Sequence, residues 1–105
     1  MSVVTGTIRG RATVVESQTP KIYNVSIPTA NTEVSQLLSS DVKQFTIKVR
    51  GSARLQLAFN SGESGTTFIT VPTNANYTAS ALNFSGTLYF QTNKDTQIVE
   101  ILEWT

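Results

Sequence analysis

The chain has 105 residues, a net charge of +1 and a charged fraction of 14%. That length suits one domain with a real core, and the charge supplies no long-range field for nucleic acid or an anionic membrane. The sequence holds neither cysteine nor histidine, which excludes disulfides, thiolate metal sites, Cys nucleophiles and the Ser-His-Asp triad.

Residues 1–20 are weakly patterned. Val3, Val4, Ile8, Val14 and Val15 are apolar and β-branched, with Gly6, Arg9, Gly10 and Arg11 among them, and both Gly and β-branched residues disfavour helix. Two extended pieces are expected, over 3–8 and 12–15. They form either an edge strand with a loose end or an arm that adds a strand to a neighbouring subunit. No run of about 7–15 apolar residues marks a signal peptide, and none of about 20 marks a membrane helix. A soluble product made in a cytoplasm is expected.

Thr19-Pro20-Lys21 is expected to be a break. Residues 22–27 then alternate, with Tyr23, Val25 and Ile27 on one side and Asn24 and Ser26 on the other. Pro28 ends the run, because proline lacks the amide that a ladder needs. Residues 31–43 fit two patterns. Val34, Leu37, Leu38 and Val42 can line a helical face, but Thr32, Ser35, Ser39 and Ser40 are mediocre helix formers. A strand over 33–38 followed by a Ser39-Ser40-Asp41 turn is preferred.

The clearest alternation is in residues 43–60, KQFTIKVRGSARLQLAFN. Phe45, Ile47 and Val49 alternate with polar residues, and Leu55, Leu57 and Phe59 resume the pattern after Gly51. A period of two marks a half-buried strand. Two such runs about a short Gly-containing turn predict a β-hairpin, with Lys48, Arg50 and Arg54 in water and a second layer over the apolar face.

Downstream, Ser61-Gly62-Glu63-Ser64-Gly65 predicts a turn, 66–71 a strand, Pro72-Thr73-Asn74-Ala75-Asn76 a turn and 76–79 a short strand. Residues 80–85 are loop-like, with Leu82 and Phe84 plugging one end of the core. A strand over 87–91 and an Asn93-Lys94-Asp95 turn lead to QIVEILEWT at 97–105. There Ile98, Val99, Ile101, Leu102 and Trp104 occupy both pleat faces. A strand apolar on both sides is covered on both sides, so the face turned from the core must meet the N-terminal segment, a loop or another molecule. About eight strands and no convincing helix predict an all-β fold: a small antiparallel β-sandwich or jelly roll over 21–105, preceded by an extended arm or edge strand over 1–20.

Little in the sequence carries chemistry. Glu100 and Glu103 are three apart and so lie on opposite faces of a strand, while Asp41, Glu63 and Asp95 sit singly in turns. Neither a glycosidase pair nor a calcium loop is formed locally, and a non-catalytic protein without metal or cofactor is expected. Tyr23, Tyr77, Tyr89 and Trp104 either bind sugars or anchor the sheet margins. Lys48, Arg50 and Arg54 form either a basic patch or a solvated face. Asn24, Asn76 and Asn83 each begin a glycosylation triplet, which matters only in a secreted protein.

From residue 42 to the end, the succession of Arg50-Gly51, the segment Phe68-Ile69-Thr70-Val71-Pro72, LYFQT at 88–92 and VEILEW at 99–104 resembles a loose group of small β-sandwich virion proteins of tailed bacteriophages. The resemblance implies a structural role as a capsid decoration or auxiliary head protein. It implies binding to the major capsid protein or another virion protein, assembly as a homo-oligomer (a trimer above all), and no nucleic-acid or membrane partner. With the doubly apolar last strand, it makes Val3, Val4, Ile8, Val99, Ile101 and Trp104 the expected interface residues. A carbohydrate- or receptor-binding module of a phage fibre or tail is the competing expectation.

Overall fold

The computed structural model describes residues 18–105. Each alternating run becomes a strand: β1 (Pro20–Ile27), β2 (Val34–Leu37), β3 (Gln44–Val49), β4 (Leu55–Ala58), β5 (Ile69–Val71), β6 (Asn76–Ala79), β7 (Thr87–Thr92) and β8 (Gln97–Trp104). They form two four-stranded sheets, in the orders β1-β8-β3-β6 and β2-β7-β4-β5. Every pairing is antiparallel. The partners β1·β8, β2·β7, β3·β6 and β4·β5 join first to last and work inwards. The chain is thus a folded-back ribbon wound into two layers, the jelly-roll winding.

The core lies between the layers. Phe45, Ile47 and Val49 of β3 and Val99 and Ile101 of β8 point inwards from one sheet, and Leu55, Leu57, Leu88 and Phe90 from the other; all are buried. Each such side chain contributes roughly 1.5–3 kcal/mol of transfer free energy. Leu82 and Phe84 pack against this cluster, and Phe84 forms a bridge with Val42, closing one end as expected. The 31–43 region resolves as strand β2 and a turn at Ser40-Asp41, with Asp41 in the left-handed region at φ 54°.

Three expectations change. Residues 43–60 are not a hairpin: β3 pairs with β8 and β6, whereas β4 pairs with β5 and β7 in the opposite sheet. Period two identifies a buried face and leaves the partner open. Five residues, Arg50-Gly51-Ser52-Ala53-Arg54, separate the strands, enough at about 3.3 Å each to cross the ~10 Å between packed sheets. The apolar faces of β3 and β4 therefore meet across the core. Secondly, Pro20 and Lys21 belong to β1 rather than to a break. Thr19 and Thr105 exchange backbone hydrogen bonds of 2.9 and 3.0 Å, so by antiparallel alternation the nitrogen of Pro20 faces away from β8, on the side where β1 has no strand partner among the described residues and no ladder amide is needed there. Thirdly, Val99 and Ile101 are each 0% exposed; the inward pleat claims them, and neither is available to a partner in this fold.

Glu103 shares their inward pleat and is 1% exposed. Its Oε1 accepts hydrogen bonds from the Ser39 amide and the Tyr23 hydroxyl, both at 3.0 Å. Burial pushes this carboxyl up, but the Ser39 and Tyr23 hydrogen bonds and the charge of Lys21 outweigh it and hold the pKa below its ordinary value. The carboxylate thereby ties the β2–β3 connection to β8 and β1. A group held low in the folded state stabilises above its unfolded pKa, and that contribution is lost as pH falls through the folded pKa. Melting scans of Glu103→Gln, which keeps an acceptor, are therefore expected to show a weaker fall in Tm on acidification below about pH 4.3 than the native chain. Glu103→Ala leaves the Ser39 amide without its acceptor and is expected to lose about 1–3 kcal/mol at neutral pH.

Candidate interaction surface

The outer face of the β1-β8-β3-β6 sheet follows from the same alternation. With Val99, Ile101 and Glu103 inward, Ile98, Glu100, Leu102 and Trp104 point out. Register then builds rows across the sheet. Pro20 and Gln44 flank Trp104, Ile22 and Thr46 flank Leu102, and Asn24 and Lys48 flank Glu100. The face is divided. One half is apolar, made by Pro20, Ile22, Leu102 and Trp104, and Ile22 is 67% exposed. The other half is polar: Arg50 Nε donates to Glu100 Oε2 at 2.7 Å, Arg50 also donates to Asn24 Oδ1 at 3.3 Å, and Lys48 Nζ lies 3.9 Å from Glu100. Exposed pairs of this kind contribute about 0–1 kcal/mol, so they orient the face more than they stabilise it. A depression of about 290 Å³ spans the boundary, lined by Ile22, Asn24, Thr46, Lys48, Glu100 and Leu102.

A second exposed apolar cluster lies at one end of the sandwich. Phe59, Phe68 and Ile69 are 45%, 37% and 44% exposed and line a depression of about 300 Å³ with Asn60 and Glu63. The ring of Phe59 stands edge-on to Phe45 at 6.3 Å and to Phe84 at 5.9 Å, geometries favoured by the ring quadrupole. The 59–68 loop that carries this cluster is fixed by Glu33. Its carboxylate accepts from the Ser64 hydroxyl at 2.6 Å and from the amides of Gly62 and Ser64 at 2.9 and 3.1 Å. The Ser64 hydroxyl bond, then the Gly62 amide, hold the Glu33 carboxyl below its ordinary value against a smaller desolvation penalty.

The residues expected at an interface divide. Val3, Val4 and Ile8 lie outside the described residues, Val99 and Ile101 are in the core, and Trp104 is on the outer face, half-buried. The tyrosines do not form a platform with Trp104. The Tyr23 hydroxyl is committed to Glu103, Tyr77 packs 6.2 Å from Phe45, and Tyr89 alternates with buried Leu88 and Phe90, which sets it on the outer face of the opposite sheet. Lys48 and Arg50 converge on Glu100, whereas the Arg54 backbone is bound by Asn93 on the far side of the crossing. Ile22 and Leu102 were not among the expected contacts. Ile22 carried a legible signal, since it breaks the polar side that Asn24 and Ser26 define.

Removal of the Glu33 carboxylate in Glu33→Ala is expected to release the 59–68 loop while leaving the core intact. Amide exchange should accelerate about tenfold at Gly62 and Ser64, in keeping with the loss of charge-assisted hydrogen bonds, with little change at Ile47 or Phe90.

No family model matches the chain, and comparison with curated proteins and with solved structures gives no significant match.

Proposed function

We propose that this protein is a non-catalytic structural component of a phage particle, which binds capsid subunits and stiffens the shell. The observation that carries the proposal is the divided outer face of the β1-β8-β3-β6 sheet, where Ile22, Leu102 and Trp104 stand on the solvent side of a sandwich whose core is already complete. Apolar area on a rigid face next to an oriented Arg50–Glu100 pair suits a protein partner: burial supplies affinity and the charges fix register. The jelly-roll winding recurs among viral capsid domains, and also among lectins, so it supports the assignment by fold analogy alone. The sequence resemblance to phage virion proteins points the same way and implies a homo-oligomer, a trimer, made in the host cytoplasm and carried on the particle. Individual contacts of modest strength then add over many copies.

A glycan- or receptor-binding module is the second reading. It is favoured by the end cluster, where the Phe59 and Phe68 rings share one depression with Asn60 and Glu63.

The two readings separate by substitution. Leu102→Lys replaces an outward side chain, so it should melt within a few degrees of the native chain. On the capsid reading it lowers the number of copies retained on purified particles at least tenfold, an effect of about 1.4 kcal/mol or more per site. Phe68→Ala should leave occupancy unchanged. If Leu102→Lys binds particles normally and Phe68→Ala abolishes binding to a glycan array, the fibre reading replaces the capsid one.

A further inference from the structure

We infer that Glu33, Ser64 and Gln91 form a one-proton switch. The Gln91 amide presents its nitrogen to Ser64 while Glu33 is ionised and its oxygen when Glu33 is protonated, so a single proton reverses the polarity of the whole hydrogen-bonded chain. This device lies in the fastening of the 59–68 loop and is independent of the assembly reading above. The loop closes its own turns, with the Thr66 and Thr67 amides donating to the Glu63 carbonyl at 3.0 and 2.9 Å. Among the described residues, the hydrogen bonds that tie it to the rest of the sandwich end on Glu33, just before β2, and on Gln91 of β7. Asn60, Glu63, Thr67 and Phe68 of the loop line the end depression, so this fastening sets how firmly the wall of that depression is held.

The hydroxyl at the centre of the chain has a conflict to resolve. Ser64 is 1% exposed, so these two side chains serve its hydroxyl rather than bulk water. Its oxygen lies 2.6 Å from Glu33 Oε1 and 3.0 Å from Gln91 Oε1. One hydroxyl hydrogen cannot be given to both, and an ionised carboxylate only accepts. Glu33 therefore takes it, which would leave two oxygens facing each other at the Gln91 end. The two ends of an amide are nearly isosteric. A half-turn of the Gln91 amide removes the conflict, and Nε2 then donates to the Ser64 oxygen.

Protonation reverses the order. A proton from solvent arrives on Glu33 Oε1, the carboxyl O–H donates to the Ser64 oxygen, the hydroxyl hydrogen swings to Gln91 Oε1 and the amide turns back. Glu33 Oε2 is then the carbonyl oxygen and keeps the Gly62 amide at 2.9 Å. The Ser64 amide, 3.1 Å from Oε1, now faces a protonated oxygen and loses most of its bond. One support slackens and the others hold. The Ser64 hydroxyl bond is the largest cause of the low Glu33 pKa, and no charged group is among the causes. The charged groups on the surrounding elements are Glu63, bound to the Asn60 amide at 3.2 Å, and Lys94 and Asp95 in the turn after β7, where Asp95 accepts from the Ala30 amide. Strands β2, β4 and β7 carry none.

Glu33→Gln in the full-length chain tests this at neutral pH, because its carboxamide keeps one acceptor and puts a permanent donor where the carboxyl proton would sit. The readouts are the side-chain N–H signals of Gln91 by NMR and the exchange protection of the Gly62 and Ser64 amides. The Gln91 signals are expected to move from those of a hydrogen-bonded amide to those of a free one. Protection at Ser64 should fall about fivefold while that at Gly62 stays within about twofold, in keeping with the loss of one hydrogen bond; Glu33→Ala, by contrast, releases both. In a Ser64→Ala background, adding Glu33→Gln should leave the Gln91 signals where they were. Gln91 signals that are the same in the native chain and in Glu33→Gln overturn the inference. So does a shift that persists in the Ser64→Ala background, since the path then bypasses the hydroxyl. Should Ser64→Ala fail to fold, the single substitution still decides: equal loss of protection at Gly62 and Ser64 overturns the switch.

Discussion

The structure depends on one constraint: each strand has one apolar pleat, and every such pleat must be covered from across the sandwich. Phe45, Ile47 and Val49 on one sheet and Leu55, Leu57, Leu88 and Phe90 on the other satisfy each other. This explains why consecutive strands change sheet so often. A hairpin of β3 with β4 would satisfy the backbone while leaving a broad apolar face in search of a lid. Crossing between layers at Arg50-Gly51-Ser52-Ala53-Arg54 makes each strand the other's lid. Among the described residues β4 and β5 are the one consecutive pair that hydrogen-bond to each other, and the loop joining them is the long one that folds back onto Glu33.

Two carboxylates hold what this winding leaves loose. In a jelly roll the connections pass over the ends of the barrel and are poorly supported by the ladders. Glu103 reaches from β8 to the Ser39 amide in the β2–β3 connection, and Glu33 reaches from the start of β2 to two amides and a hydroxyl in the β4–β5 loop. Each supplies charge-assisted acceptors to backbone groups that have no strand partner. The fold thereby uses its few acidic residues as fasteners. Both work best when ionised, which links the firmness of the loops to pH with the same sign.

How much of this the sequence disclosed depends on range. Faces were legible because alternation is local: Tyr23, Val25 and Ile27 turn inward as the pattern demands, Glu100 and Glu103 part to opposite sides, and the two-sided apolar run at the end of the chain is indeed shared between core and surface. Partners were not legible, because pairing is decided by contacts between β1 and β8 or β2 and β7, at separations that no window spans. That is also why Val99 and Ile101 were expected at an interface. The run in which they lie shows that one face is surplus, but the choice of face follows from the register with Tyr23 and Ile47. The fastening roles were hidden for the same reason, since Glu33 and Ser64 come together only after the β4–β5 loop folds back. Thr96 illustrates the remaining gap. It sits in the left-handed region at φ 55°, where a β-branched residue is disfavoured, and its amide donates to the Pro28 carbonyl at 3.1 Å. Tertiary pairing of β1 with β8 imposes that backbone, against local preference.

Part of the exposed apolar surface is gathered on the outer face of the β1-β8-β3-β6 sheet, and the proposed function rests on that part; the rest includes Phe59, Phe68 and Ile69 beside the β4–β5 loop. Had Ile22, Leu102 and Trp104 been scattered over both sheets, they would need no explanation, since lone exposed apolar side chains are ordinary. Register instead brings them into adjacent rows on one face, beside β1, the edge strand of that sheet among the described residues. Charge is placed instead at Lys48 and Arg50, on the other half of the same face. The asymmetry of that face, apolar toward β1's start and ionic toward Glu100, therefore follows from register, and it is the feature on which the proposed function rests.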